Sequence, residues 1–164
     1  MSDDTYIDND HYIVELNIDA DSLPVTNVEM QHERRVAIFD LLEENEFKPL
    51  ESEKGPYLVN LTLRDGSRLD FEIKRSTGLD IGTYTLSMTP FRRIVKDYFM
   101  ICESYHNAIR TATSPQIEAI DMGRRGLHNE GSRLLTDSLR NSIEMDFNTS
   151  RRIFTLICSL HRRP

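Results

Sequence analysis

Apolar and polar residues alternate over positions 12–18, with Tyr12, Val14, Leu16 and Ile18 set against Ile13, Glu15 and Asn17. That period of two predicts a half-buried strand. A polar loop at 19–24 follows, and the period then lengthens to helical through Val28, Val36, Phe39 and Leu42, with His32 on the same face. A histidine there reads as a hydrogen-bonded core residue. Pro49 and Gly55-Pro56 mark a connection. Three alternating segments come next, at 57–63 (Tyr57, Val59, Leu61, Leu63), 69–73 (Leu69, Phe71, Ile73) and 83–88 (Tyr84, Leu86, Met88). The Asp65-Gly66 pair between the first two is a hairpin signal, so the run predicts an antiparallel meander. From Thr89-Pro90, a cap and a first-turn proline, a helical stripe runs through Phe91, Ile94, Val95, Tyr98, Cys102, Tyr105 and Ile109. Ser114-Pro115 repeats the start signal for a stripe of Ile117, Ile120, Leu127, Leu134 and Leu135, and Asn148-Thr149 opens a last helix with Ile153, Phe154, Ile157 and Leu160. The expected fold is α+β in the order β-α-β-β-β-α-α-α, a small antiparallel sheet covered by helices. Residues 1–10, short, polar and acidic, are expected to be disordered, and residues 11–164 to form one domain.

One stretch interrupts this regular pattern. Residues 120–132 read Ile-Asp-Met-Gly-Arg-Arg-Gly-Leu-His-Asn-Glu-Gly-Ser, three glycines among strongly polar groups. Each glycine costs about 1 kcal/mol inside a helix relative to alanine, so the backbone either bends here or is approached closely. Ile117, Ile120, Leu127 and Leu134 keep a common phase, which favours one helix over 115–139, and that phase puts Arg124 and Gly131 on the apolar stripe with Asp121, Arg125, His128 and Ser132 along its border. An arginine buried there needs a partner. An ion pair to Asp97 or Glu103 would mark it as structural, and an open pocket of converging arginines would mark a ligand site. Gly131 on the stripe admits another backbone, including that of a second subunit.

Charge sharpens this picture. Of 20 basic residues 16 are arginine, and ten of those form the adjacent pairs 34–35, 92–93, 124–125, 151–152 and 162–163. Guanidinium presents a fork of donors that suits carboxylate or phosphate. Arginine pairs opening a helix, as at Arg92-Arg93 and Arg151-Arg152, oppose its dipole by roughly 0.3–1 kcal/mol per exposed charge; an acidic neighbour, an anionic ligand or solvent must offset that. Residues 1–56 hold 15 acids against 4 bases and residues 57–164 hold 12 against 16, within a net charge of −7. An acidic chain of this kind argues against nucleic-acid binding. Gly123-Arg-Arg-Gly126 has the form of a backbone-clamping GXXG loop, but the element order is not that of a KH domain. No apolar run approaches the ~20 residues of a membrane span, and the acidic start lacks a secretory pattern, so the expected location is cytoplasmic. Cys102 and Cys158 fit as reduced core thiols. Although Cys102/His106 and Cys158/His161 have helical ligand spacing, no metal or cofactor is expected.

The blocks Val36-Ala-Ile-Phe-Asp-Leu-Leu-Glu-Glu-Asn45, Pro90-Phe-Arg-Arg-Ile-Val-Lys-Asp-Tyr-Phe99, Ala108-Ile-Arg-Thr-Ala-Thr113 and Gln116-Ile-Glu-Ala-Ile-Asp-Met-Gly-Arg-Arg-Gly-Leu-His-Asn-Glu-Gly131 resemble an uncharacterised family of alphaproteobacteria. The resemblance implies a small bacterial protein and brings no activity, cofactor or catalytic residue. Two readings therefore stand. The first is a non-enzymatic interaction or regulatory module, a homodimer or a binder of another protein, acting through the helical region between Gly123 and Gly131. The second is a binding domain or enzyme for an anionic small molecule. Its candidate residues are Asp121, Arg124, Arg125, His128 and Glu130.

Overall fold

The strict alternation of the three central segments becomes three antiparallel strands, β3 (Tyr57–Arg64), β4 (Arg68–Arg75) and β5 (Asp80–Ser87), in a computed structural model that describes residues 10–24, 27–50, 52 and 54–161. The expected disorder of the first residues and the Arg162-Arg163 pair fall outside the described residues, apart from Asp10. Asp65 and Gly66 take positive φ at 53° and 67°, a conformation glycine adopts freely and aspartate tolerates, and Arg64 closes the hairpin on Asp70 at 2.6 Å. One face of this sheet is apolar, through Val59, Leu61, Leu69, Phe71, Ile73 and Leu86. The other face carries Asn60, Thr62, Glu72 and Thr85.

β1 (Ile13–Ile18) completes the sheet in the order β1-β3-β4-β5, but it runs parallel to β3. The sheet is mixed, not purely antiparallel as the sequence suggested, because the chain crosses from β1 to β3 through a helix and a strand. The simple alternation of 12–18 also fails. A register shift between Ile13 and Glu15 lets Ile13 and Leu16 both face inward, while Tyr12 and Val14 are exposed. This is how a bulge re-aims side chains.

α1 (Val28–Glu43) is capped by Asn27, whose side chain accepts from the Met30 amide at 2.8 Å. It turns its expected face outward. Met30, Ala37 and Leu41 are buried, whereas Val28, Val36 and Phe39 are exposed and so is His32. Apolar residues lie on both sides of this helix, and the side that packs is the one carrying the small Ala37, which lets α4 come close. Two short strands that the sequence did not announce, β2 (Phe47–Pro49) and β6 (Ile143–Met145), pair antiparallel and tie the end of α1 to the last helical hairpin.

A 3-10 turn at Thr89–Phe91 leads into α2 (Arg92–Thr111), so Pro90 belongs to that turn and Thr89 makes no side-chain cap. Residues 114–139 form one unbroken helix, α3 (Ser114–Leu139). Its start is a capping box: Thr113 accepts from Gln116 N, and the Gln116 side chain accepts from Thr113 N at 3.0 Å. α4 (Phe147–Leu160) is capped by Asp146, which accepts from Thr149 N at 3.1 Å. Arg151 and Arg152 consequently sit in its second turn, one turn later than the sequence suggested. No helix among the described residues is long and apolar enough to cross a membrane.

Candidate functional site

α3 and α4 pack unusually closely, and small residues make that possible. A Cβ on Gly131 would stand 2.2 Å from Phe154 Cζ. Next to it Ser150 donates to the Ser132 carbonyl and Ser132 to the His128 carbonyl, both at 2.7 Å. Gly131 therefore receives a ring of its own chain, and the space over Gly123 is taken by Ile101. The buried ridge of α3 is His128, Gly131, Ser132, Leu135 and Leu139. It is thus rotated towards the border that the sequence assigned to His128 and Ser132, which leaves Ile117, Ile120, Leu127 and Leu134 only half-buried.

This rotation brings the outer halves of both helices around a cleft of about 410 Å³. Arg124, Arg125 and His128 line it from α3; Asn148, Arg151, Arg152 and Thr155 from α4; Tyr98 from α2. Arg124 makes no pair with Asp97 or Glu103. Its Nε and Nη2 both donate to Asp121 Oδ1, at 3.1 and 2.5 Å, one turn back on the same helix. Its guanidinium carbon also lies 4.4 Å from the Tyr105 ring centroid, a cation–π geometry. Arg125 Nε reaches Asp121 Oδ2 at 3.3 Å. Arg152 donates Nη1 to the Glu44 carbonyl at 2.7 Å, and Arg151 Nε is buried with no partner among the described residues. Four arginines thus line a cleft in which Asp121 is the one carboxylate paired with them among the described residues. The two arginines hold Asp121 below the ordinary carboxylate range, the hydrogen bond from Arg124 foremost.

His128 closes the inner end. Its ring packs edge-on against Phe154 and Tyr98, with centroids 5.1 and 5.4 Å away. Burial first, then the charges of Arg151 and Arg124, lower its pKa to about 4, so it is neutral near pH 7. Thr155 Oγ1 lies 3.1 Å from the Arg151 carbonyl and 2.7 Å from His128 Nε2, in a hydrogen bond whose direction follows the imidazole tautomer. Nδ1 has no hydrogen-bond partner among the described residues.

Of the five residues singled out in the sequence, the structure brings together Asp121, Arg124, Arg125 and His128. Glu130 is exposed; two residues past His128, it points about 200° round the helix. Sequence reasoning missed Asn148, Arg151, Arg152 and Thr155 as members of the site. The adjacent arginine pair was the signal for two of them, but nothing local joins 151–152 to 124–125. Cys102 is half-buried and Cys158 buried, both as thiols, and burial pushes the Cys158 thiol up. Among the described residues no three metal-ligating side chains cluster.

Comparison with known proteins identifies the lineage. A model of the uncharacterised protein family UPF0262 matches residues 10–163. A UPF0262 protein of Rhizobium etli is 59% identical over 143 residues, covering 87% of this chain and 90% of its own. One from Brucella anthropi is 56% identical over 152 residues, 92% and 94% of the two chains. One from Nitrobacter winogradskyi is 52% identical over 163 residues, 98% and 97% of the two chains. No solved structure matches the chain. The arginine cleft thus lies wholly within the matched residues, and the chain belongs to the uncharacterised protein family UPF0262.

Proposed function

We propose that the chain is a binding module, without catalysis of its own, for a small phosphorylated molecule whose phosphoryl group sits between α3 and α4. The observation that carries this reading is the charge imbalance of the cleft, which Arg124, Arg125, Arg151 and Arg152 line with Asp121 as their one paired carboxylate among the described residues. A monocarboxylate would leave most of that repulsion standing. A dianionic phosphate offsets more of it and offers oxygens to several guanidinium forks at once. Arg151 Nε, buried and without a partner among the described residues, and the Asn148 side chain supply donors from the first two turns of α4. The two thiols fit a reducing, cytoplasmic setting.

Titration calorimetry of the protein with inorganic phosphate tests this. Each charge-assisted hydrogen bond contributes roughly 1.5–3 kcal/mol, so Arg151→Ala or Arg125→Ala should weaken binding by about tenfold or more. Neither variant should melt much below the wild type without phosphate, because each removes a member of a mutually repelling group. Undiminished phosphate affinity in both would rule the cleft out.

Self-association remains the second reading, moved from the glycine region to the outward stripe of α1. Val28, Val36 and Phe39 lie on one side of that helix and are 78%, 45% and 64% exposed. If that stripe joins two copies, Phe39→Glu should convert a dimer to a monomer in sedimentation equilibrium.

A further inference from the structure

Tyr98 and Thr155 are not confined to the arginine cleft. Tyr98 and the exposed Thr155 also line a second, larger hollow of about 650 Å³, bordered by α1 and α2 and floored by Cys158 and Ser159 of α4. The two hollows have those two residues as a common wall, and their chemistry differs. The groove has an apolar lining from Val36, Ala37, Phe99 and Met100; its carboxylates are Glu29, Glu33, Asp40 and Glu103, beside His32 and His106, and the Arg34 guanidinium reaches the Ser159 carbonyl of its floor at 3.2 Å. Asp40 lies one helical turn before Glu44, whose carbonyl receives Arg152. Negative charge therefore begins close to where the positive cluster ends. Each hollow has the size of a small-molecule site.

Building on the phosphoryl reading of the cleft, we infer that the ligand is a zwitterionic phosphate monoester. Its phosphate lies among Arg124, Arg125 and Arg151, a short apolar segment passes Tyr98 and Thr155, and a terminal amine faces Asp40 and Glu103. A purely anionic body would meet the acidic groove unfavourably, and an inorganic ion would leave the apolar lining unused. Charge of both signs along one track selects for a ligand that carries both signs in the same order.

Calorimetry at low salt with three probes, inorganic phosphate, hexyl phosphate and 6-aminohexyl phosphate, separates the claims. Hexyl phosphate should bind about tenfold or more tightly than phosphate, since buried methylenes contribute to affinity. The amine should add a further gain of several-fold that disappears in the double variant Asp40→Asn/Glu103→Gln, while hexyl phosphate binds that variant as it binds the wild type. Equal affinity for all three probes overturns the bipartite ligand and leaves the phosphoryl site standing. Absence of phosphate binding, or binding indifferent to Arg125→Ala, overturns the reading beneath it.

Discussion

Gly131→Ala should destabilise the protein by on the order of 3 kcal/mol, although alanine is the better helix former by about 1 kcal/mol. The added methyl carbon would stand 2.2 Å from Phe154 Cζ and 2.3 Å from its Cε1, well inside contact distance. Phe154 has nowhere to go. It is fully buried, with Phe91 at 6.4 Å, Tyr98 at 6.2 Å and His128 at 5.1 Å between ring centroids. For a chain of this size such a loss lowers the melting temperature by roughly 10 °C. Gly126→Ala should do the opposite. Gly126 is in the same helix, exposed, and has nothing within 4 Å of a new Cβ, so alanine gains its propensity and the melting temperature rises by a few degrees. Thermal melts of the two variants side by side check the pair. If Gly131→Ala melts with the wild type, the close α3–α4 contact is wrong, and with it the shape of the cleft above.

Acid should act on the protein through His128. Its pKa falls from 6.5 unfolded to about 4 folded. The unfolded state therefore binds a proton that the folded state refuses between those values, and stability rises with pH across that window. The contribution is fully present above about pH 6.5 and is lost as the pH falls towards 4. Its size is roughly 3 kcal/mol, from about 1.36 kcal/mol per unit. Protonation would place a cation beside Arg124 and Arg151, in a pocket walled by Tyr98 and Phe154, with Nδ1 still lacking an acceptor. Urea unfolding in a buffer free of phosphate and sulfate, between pH 4.5 and 7, should show this slope, and His128→Gln should reduce it to the part left by His161, whose pKa burial also lowers. Parallel curves for wild type and variant would mean that His128 does not carry the acid sensitivity. A bound dianion partly cancels the two arginine charges, so the histidine resonance should titrate at higher pH when sulfate is present.

The meander was legible in the sequence because strands β3 and β4 obey a strict period of two and bury one face only. The continuity of α3 was legible too, since the phase of Ile117, Ile120 and Leu127 runs through the glycines without a break. The orientation of α1 was not: Val28, Val36 and Phe39 offer one apolar side and Met30, Ala37 and Leu41 another, and only the approach of α4 decides between them. β2 and β6 are three residues each, too short to set a period, and they exist by pairing with each other. For the site, sequence showed half of the cleft. Asp121, Arg124, Arg125 and His128 are neighbours on one helical face and can be read from spacing. Arg151 and Thr155 reach them only because Gly131, Ser132 and Ser150 let two helices close together, and that is a tertiary contact.

On the proposed reading, Arg124, Arg125 and Arg151 hold an anion together. The most direct measurement is a crystal structure of the protein grown with tungstate, a tetrahedral dianion whose metal scatters anomalously. The expected result is one strong anomalous peak between α3 and α4, within hydrogen-bonding distance of Arg124, Arg125 and Arg151, with Arg151 Nε turned towards it. An empty cleft in crystals soaked to saturation, or one whose arginines are all engaged by carboxylates of the chain itself, would contradict it.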